Sequence, residues 1–496
     1  MAEPYETVIG LEVHVQLLTT TKLFCGCLNK FGLPPNTATC PVCLGLPGSL
    51  PVMNREAFRL ALRAALALNC KIASHPGQAP GFTKWDRKQY YYPDLPKNYQ
   101  ISQYDLPFSH DGWLEIPGNR VGIIRAHLEE DAGKNLHDES GRGGDTRVDL
   151  NRTGTPLLEI VSHPDMNTSE EAVAYLEEIR LMLRELRVSD CEMQEGSLRC
   201  DANVNIHVPL ASPGRESGES SDYAATPLVE IKNLNSFRAV GRAIKYEAER
   251  QFAEFQKDPA GYRLDKIAKT TAGWDEAKGR TEVQRHKEEA ADYRYFPDPD
   301  LVPVVVSAEQ IEAVRAEMGE LPQQQRARLV KQYGLSDYDA EVLTAKGRGT
   351  VAYFESVAGI LGDAKAASNR MSDLIFPRVD AIEAFPIPAP AFAEFVRKTG
   401  PLSKQDRLDL LAHMLEHGVD LDAAMAATGI KPQTFHESTL RAAVVAAIAA
   451  NPKAVADFKK GKDAAKMSIV GAVMKGNKGA PNDVVRRLVD EELAKL

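Results

Sequence analysis

The stretch Thr7-Val-Ile-Gly-Leu-Glu-Val-His-Val-Gln-Leu17 decides the fold expected for the first half of the chain. Its apolar residues recur at every second position, as in a β-strand with one apolar face. Glu12, His14 and Gln16 share the opposite face. Such a strand can cover a core with one side and offer the other to ligands. The stretch therefore predicts a sheet whose polar face carries acids and an imidazole.

Four further stretches show partial alternation of the same kind and are predicted as strands: Val121–Leu128, Leu157–Val161, Asp201–His207 and Leu228–Lys232. With the Gly, Pro, Asn and Asp residues between them, they predict an α+β domain on an antiparallel sheet over residues 1–298. The remaining sequence is rich in Ala, Leu and Glu at helical spacing, and its composition changes again near residues 400–404. We therefore predict a helical domain over 299–405 and a helical tail over 406–496.

The composition of the whole chain is that of a globular protein with several domains. Its 496 residues exceed one ordinary core, and 43% of them are hydrophobic. No apolar run approaches the roughly 18 residues of a membrane span, and the N-terminus lacks a signal-peptide pattern. We therefore expect a cytoplasmic protein. The net charge of −9 argues against indiscriminate binding to polyphosphates over the whole surface.

Acidic residues on several predicted strands are the first candidates for chemistry. Glu12 and His14 would lie about 7 Å apart on one strand face, close enough to serve one metal site. For an isolated pair, a solvent-facing polar stripe is the simpler interpretation. Further acids fall in Arg125–Lys134, Val148–Glu159 and Glu195–Asp201, interleaved with cationic residues.

This mixture of acids and cations is typical of Mg²⁺-dependent phosphoryl transfer. Carboxylates hold hard cations, and Arg and Lys neutralise phosphate oxygens. Solvated loops or structural ion pairs would explain the acids equally well. The sequence contains no P-loop motif and no kinase signature, which argues against those two classes of nucleotide enzyme.

Four of the seven cysteines form two short pairs, Cys25-Gly-Cys27 and Cys40-Pro-Val-Cys43, separated by 12 residues. This spacing predicts a tetrahedral site for Zn²⁺ with four thiolate ligands. Since no coordination position would remain open, the zinc would be structural rather than catalytic. The alternative is a group of free, reduced cysteines.

Two regions have the composition of RNA contacts. The segment Trp85–Gln100 interleaves cations with four tyrosines, which suits stacking on unpaired bases, although an ordinary aromatic core fits equally well. Residues 451–496 contain ten Lys or Arg against six Asp or Glu. A tRNA-binding tail would use Lys459, Lys460, Lys462, Lys475 and Lys478. The alternative is a solvated lysine face on a helical bundle.

The segment Asp149-Leu-Asn-Arg-Thr-Gly-Thr-Pro-Leu-Leu-Glu-Ile-Val-Ser-His-Pro164 resembles a long signature of the B subunits of aspartyl/glutamyl-tRNA amidotransferases. The resemblance extends over most of the chain, including GLEVHVQL (Gly10–Leu17), HLEEDAGK (His127–Lys134), EGSLRCDANV (Glu195–Val204) and DYRYFPDPDL (Asp292–Leu301). It implies a catalytic cradle similar to the glutamine synthetase fold, then a helical domain and a tail similar to the YqeY family.

The resemblance also implies roles for particular residues. Its Mg²⁺ ligands would be His14, Glu130 and Glu159. A second, transient cation would lie beside Glu12, Glu195 and Glu230. We further expect Arg152 and Lys134 to neutralise the γ-phosphoryl group of ATP, and the four cysteines to place the chain in the zinc-containing branch of the family.

The function implied is ATP-dependent activation of the side-chain carboxylate of Glu-tRNA(Gln), Asp-tRNA(Asn) or both, followed by amidation with ammonia. The sequence shows no Ser-Lys or Cys-His arrangement for hydrolysing glutamine. The resemblance implies that an amidase-type glutaminase subunit supplies the ammonia in a heterotrimer with a small third subunit. The corresponding tRNA synthetases are candidates for further partners.

Two other interpretations stay open at this point. The chain could be a non-catalytic tRNA-binding scaffold with structural acids, which would show no metal-dependent ATP hydrolysis stimulated by misacylated tRNA. It could also resemble the archaeal-type GatE enzyme, which carries a large insertion similar to part of an aspartyl-tRNA synthetase. No such block is evident in the sequence, so the B-subunit interpretation is preferred.

Overall fold

The computed structural model describes residues 4–136, 145–210, 223–286, 293–431, 436–459, 462–477, 480 and 482–495. The chain divides into two compact units, one ending at Gln323 and the other beginning at Gln324. Among the described residues, no helix combines the length and apolar character that crossing a membrane requires.

All the strands of the described residues lie in the first unit. In chain order they are β1 (Glu6–Gln16), β2 (Lys71–Ile72), β3 (Phe82–Thr83), β4 (Asp86–Gln89), β5 (Tyr99–Ser102), β6 (Ser109–Ile116), β7 (Asn119–Glu130), β8 (Lys134–Leu136), β9 (Arg147–Asp149), β10 (Pro156–Ser162), β11 (Leu198–Pro209), β12 (Tyr223–Ala225), β13 (Val229–Leu234), β14 (Thr270–Asp275), β15 (Arg280–His286), β16 (Phe296–Pro297) and β17 (Val304–Val305).

The described helices occupy both units, and two short 3₁₀ segments, Ile382–Ala384 and Asp463–Ala465, accompany them in the second. In chain order the helices are α1 (Pro41–Leu44), α2 (Arg55–Ala67), α3 (Ser169–Glu185), α4 (Phe237–Lys257), α5 (Ala308–Met318), α6 (Pro322–Tyr333), α7 (Asp337–Ala345), α8 (Arg348–Leu361), α9 (Ala364–Leu374), α10 (Ala389–Thr399), α11 (Lys404–His417), α12 (Leu421–Thr428), α13 (Glu437–Ala450), α14 (Pro452–Lys459), α15 (Lys466–Gly476) and α16 (Asn482–Leu493).

One ten-stranded sheet organises the first unit. Its order is β15-β14-β13-β11-β1-β10-β7-β6-β2, with β12 paired to β11. Every pairing is antiparallel except β13 with β14, which is parallel. The predicted α+β class and all five predicted strands are confirmed, and β1 occupies the middle of the sheet.

The apolar face of the sheet is covered by helices. Alternate residues of β1, such as Leu11, Val13 and Val15, are buried in one core with α2, α3, α4 and α5. Helix α3 begins with a capping box on Thr168, which satisfies free N–H groups of its first turn. Because side chains alternate along a strand, burying this face leaves the intervening polar residues together on the other.

The second unit is helical and contains two separate cores. One gathers buried residues from Leu329 to Ala424, and the other gathers residues from Leu440 to Leu493. The first unit's core also extends to Met318 on α5. The predicted boundaries at 298 and 405 stay predictions. Helix α5 packs against α2 in the core of the first unit, and α11 shares a core with the helices before it.

Candidate active site and cysteine cluster

Three neighbouring strands bring together residues that are far apart along the chain. In the register of the sheet, His14 of β1 lies opposite Glu159 of β10, and Glu159 lies opposite His127 of β7. Directly opposed residues point to the same face of a sheet, so the three side chains converge. Glu12 and Glu129, two positions along their strands, join the same face. We call these five residues the His–Glu cluster.

The distances within the His–Glu cluster are short enough for cation binding. His14 Nε2 lies 3.4 Å from a carboxylate oxygen of Glu12 and 3.5 Å from one of Glu159. His127 Nε2 lies 3.6 Å from the same Glu159 oxygen and 3.9 Å from Glu129. Two overlapping groups of three ligands result, each with its donor atoms within 4.8 Å of one another, and Glu159 belongs to both.

The cluster has unusual protonation properties because it concentrates acids in a buried place. Burial and the charge of Glu159 raise the pKa of Glu129 to about 7. Burial works against a charged His14, but Glu159 and Glu12 outweigh it and raise the pKa of His14 to about 9. Burial lowers the pKa of His127 to about 4. Such shifts are typical of functional sites.

Glu130 does not lie with the His–Glu cluster, and its predicted role as a Mg²⁺ ligand stays a prediction. It follows Glu129 in β7 and therefore points to the opposite face, the one on which Leu128 enters the core. There the Lys97 ammonium donates to its carboxylate in a buried ion pair, and the Ile101 N–H donates to the same oxygen at 2.8 Å. The acid that β7 directs towards His14 is Glu129.

Two arginines are fixed beside the cluster. The Arg199 guanidinium donates to Asp131 Oδ2 at 2.8 Å, and the Gln16 amide donates to the same oxygen at 2.9 Å. Arg152 lies 3.6 Å from that oxygen and donates to the backbone carbonyls of residues 132–133. Although burial alone would raise it, these arginines hold the pKa of Asp131 below its usual range. Both guanidinium groups are partly exposed.

Arg199 is next to the predicted ligand His14 in the register of the sheet. It lies opposite His14 across the β1–β11 pairing, on the polar face of the sheet. Its Nε atom is buried and has no hydrogen-bond partner among the described residues. A guanidinium held at one end by Asp131 is therefore preorganised for an anion.

The other predicted residues are dispersed. Lys134 is exposed on β8. Glu195 is exposed and lines a cleft of about 270 Å³ beyond the end of β1. Glu230 is buried and ion-paired with Lys232 at 2.9 Å and Lys269 at 3.4 Å. The structure does not group Glu195 and Glu230 with Glu12 among the described residues, and the second cation beside these three acids stays a prediction.

The four cysteines do come together. The sulfur atoms of Cys25, Cys27, Cys40 and Cys43 all lie within 4.8 Å of one another. The Cys40 N–H donates to Cys43 Sγ at 3.0 Å, in the turn that begins α1. The ammonium of Lys22, fully buried, lies 3.9 Å from Cys43 Sγ and donates to the Ala38 carbonyl at 2.7 Å. This charge favours thiolates, so the group can hold a metal ion.

The loop that carries the four cysteines, residues 25–43, is attached to the segment before Arg152, and we call it the cysteine loop. The side chain of Asn36 donates to the carbonyl of Val148 at 3.0 Å and accepts from the N–H of Leu150 at 2.8 Å. In return, Asn151 accepts from the Ala38 N–H at 2.8 Å. These reciprocal bonds fix residues 148–151 against the cysteine loop, immediately before Arg152.

The segment Trp85–Gln100 combines both interpretations left open for it. Trp85 is buried and packs edge-on against Phe24. Tyr91 and Tyr92 are exposed. The prediction of base stacking stays a prediction for these two tyrosines.

In the tail, Lys459, Lys462 and Lys475 are exposed, whereas Lys460 and Lys478 lie outside the described residues.

Comparisons with known proteins give matches along most of the chain. The sequence profile of the GatB/GatE catalytic domain matches residues 7–312, and that of the GatB domain matches residues 352–493. A protein of Rhodopirellula baltica is 48% identical over 99% of this chain and 98% of its own length. Proteins of Moorella thermoacetica and of a Thermoanaerobacter species are 45% and 44% identical over 99% of this chain and 100% of theirs. Each of the three is named as the B subunit of an aspartyl/glutamyl-tRNA(Asn/Gln) amidotransferase.

Proposed function

The chain belongs to the family of aspartyl/glutamyl-tRNA(Asn/Gln) amidotransferase B subunits, and on that premise we propose that the His–Glu cluster is where ATP activates the side-chain carboxylate of Glu-tRNA(Gln), Asp-tRNA(Asn) or both. The observation that carries the proposal is the convergence of His14, His127 and Glu159 from three separate motifs. An acidic stripe that was only solvated would not bury Glu159 and His127.

The donor set fits Mg²⁺. Glu12, His14 and Glu159 form one group of possible ligands, and His127, Glu129 and Glu159 form a second, so most of the donors are hard carboxylate oxygens. Burial and neighbouring negative charge raise the pKa of Glu129, and a bound cation would relieve that crowding of charge. When bound, Mg²⁺ would neutralise charge on the phosphate oxygens of ATP. Glu129 takes the place first assigned to Glu130.

The residues of the chain would act by holding charge in place during transfer. Arg199, anchored by Asp131, would bind the phosphate oxygens beside His14. The substrate carboxylate attacks the γ-phosphorus, the bond to ADP breaks, and an acyl phosphate results. A free carboxylate does not react with ammonia because its oxygen is a poor leaving group, whereas phosphate leaves the acyl phosphate readily. ATP therefore drives formation of the amide.

The other parts of the molecule would serve this reaction. We assign the ammonia to an amidase-type glutaminase subunit, held with this chain by a small third subunit. The four-cysteine group would hold Zn²⁺, which suits four thiolates and leaves no open position for catalysis. The first unit would form a cradle similar to glutamine synthetase, and the YqeY-like tail would contact the tRNA backbone through its exposed lysines.

A reconstituted complex tests the proposal. With ATP, Mg²⁺ and ammonium chloride, the wild-type complex should convert Glu-tRNA to Gln-tRNA, and omission of ATP or Mg²⁺ should abolish conversion. Glu159→Gln should lower amidation by about 10³-fold or more, while the complex still hydrolyses glutamine. Retention of amidation by Glu159→Gln would contradict the assignment of the His–Glu cluster.

A further inference from the structure

Lys88 occupies an unusual position near the His–Glu cluster. It lies in β4, which pairs with β5 so that Lys88 is opposite Gln100 and Asp86 is opposite Ser102. The Ser102 hydroxyl donates to Glu129 Oε2 at 3.2 Å. Because Lys88 shares that strand face, its side chain extends towards the cluster from a small three-stranded sheet, β16-β4-β5, whose strand β5 packs against β7.

Tyrosine rings rather than acids surround the Lys88 ammonium. Its Nζ lies 5.1 Å from the ring centre of Tyr293 and 5.9 Å from that of Tyr90. Within the part of the chain that the structure describes, no carboxylate lies within ion-pair distance of this ammonium. The neighbouring lysines of the same region differ in this respect, because Lys84 and Lys97 are each paired with an acid.

Burying an ammonium group among aromatic rings without a direct anionic partner costs free energy, unless a bound ligand supplies that partner. Burial lowers the pKa of Lys88, but Glu129 and Glu159 attract its charge through space and, with the nearby tyrosines, raise the pKa above its ordinary value. The charge is therefore held in the site without a direct contact to the protein's own carboxylates. It is available to an anion that enters from outside.

The cations of the site occupy two places beside the His–Glu cluster. The guanidinium groups of Arg199 and Arg152 both lie against Asp131, just beyond the end of β7. Lys88 approaches from a different place, the pair of strands β4 and β5. In phosphoryl transfer the attacking and leaving oxygens stand roughly in line on opposite sides of phosphorus. With the phosphates of ATP beside Arg199, the attacking carboxylate would enter on the Lys88 side.

We propose that Lys88, in its tyrosine enclosure, binds the side-chain carboxylate of the misacylated tRNA and so distinguishes the acidic substrate from the neutral amide product. This inference rests on the proposed function of the cluster. A charged ammonium gains an ion pair with the Glu or Asp carboxylate and gains none with the amide of Gln or Asn. The same contact would orient one carboxylate oxygen for attack.

Binding without turnover tests this role. The dissociation constants of Glu-tRNA(Gln) and Gln-tRNA(Gln) are measured for the full complex without ATP, with Lys88→Met beside wild type. Lys71→Met serves as the control, because Lys71 is an exposed lysine on edge strand β2, paired with Asp111. We expect Lys88→Met to weaken Glu-tRNA binding roughly 10- to 100-fold, with Gln-tRNA binding unchanged. Lys88→Arg should recover part of the discrimination.

Each of the following results would overturn the proposal. If Lys88→Met weakens the binding of both tRNAs equally, the residue supports the fold. If it instead weakens the binding of a non-hydrolysable ATP analogue, the ammonium contacts phosphate. If it only changes Mg²⁺ affinity, the ammonium merely balances the cluster's charge. Amidation by the wild-type complex is measured in parallel, and its absence would mean that the proposed function fails. If wild type amidates normally and Lys88→Met still discriminates between Glu-tRNA and Gln-tRNA, only the Lys88 assignment fails.

Discussion

At the scale of single residues, the central distinction is between two adjacent glutamates. Glu129 points into the His–Glu cluster, whereas Glu130 is ion-paired with Lys97 on the core side of the same strand. One residue of displacement moves a side chain to the other face of a sheet. The two acids should therefore fail in different ways when each loses its charge.

We predict that Glu129→Gln removes cation binding and leaves the fold intact, because it changes one ligand without stranding a partner charge. Glu130→Gln should instead destabilise the protein by about 3–5 kcal/mol, since it leaves the Lys97 ammonium buried without its anion. Mg²⁺ titration and denaturant unfolding of both variants check this. Equal loss of stability in the two variants would contradict the assignment of faces.

Arg199 provides a second prediction at this scale. Arg199→Met should lower kcat/KM for ATP by about 10²- to 10³-fold, because a fixed donor to the phosphate oxygens is lost. Steady-state kinetics at saturating Glu-tRNA measure it. Lys278, an exposed residue paired with Glu282, supplies the matched control through Lys278→Met. If Arg199→Met and Lys278→Met have the same kinetics as wild type, Arg199 is only a partner for Asp131.

At the scale of elements, the sequence was informative wherever alternation was clean. The apolar period of β1 placed Glu12 and His14 on one face, and the same rule applied to His127-Leu-Glu-Glu130 would have selected Glu129, because Leu128 marks the core side. The family motif instead suggested Glu130. Lys88 was beyond such reasoning, because its approach to Glu129 depends on how a separate small sheet packs against β7.

The cysteine loop yields an element-scale prediction. Its hydrogen bonds hold residues 148–151, so loss of the zinc that we propose for it should loosen the segment that ends at Arg152. We expect Cys43→Ser to contain no zinc, to melt at a lower temperature and to lose amidation in part. Metal analysis, thermal unfolding and activity are the measurements. Cys191→Ser, at a buried cysteine outside the group, is the control. A zinc-free Cys43→Ser with wild-type Tm would contradict the supporting role.

At the scale of the whole molecule, the second unit has two separate hydrophobic cores, so the end of the tail can be altered separately from the helices before it. The last of them begins at Leu440, beyond the core that ends with Ala424. Sequence composition indicated a basic tail but could not locate this division, because both segments are Ala-rich helices. The net charge of the chain is −9, so the proposed contact with tRNA would have to be local.

We predict that replacing Lys459, Lys462 and Lys475 with Ala weakens tRNA binding. The negative slope of log affinity against log salt concentration should become shallower by up to about three. The reason is that each lost phosphate contact no longer releases a counterion. Removing all residues after Gly429 should have at least the same effect while the sheet of the first unit stays folded. Unchanged affinity in both variants would mean that these lysines are only solvated.

The acyl phosphate is the claim on which the account depends, and isotope transfer tests it most directly. Glu-tRNA carrying ¹⁸O in its side-chain carboxylate is incubated with the complex, ATP, Mg²⁺ and ammonium chloride, and the released phosphate is analysed by mass spectrometry. If the carboxylate attacks the γ-phosphorus, each phosphate released with amide formation carries one ¹⁸O atom. The Glu159→Gln complex then releases no labelled phosphate. Amide formation accompanied by unlabelled phosphate would contradict the account.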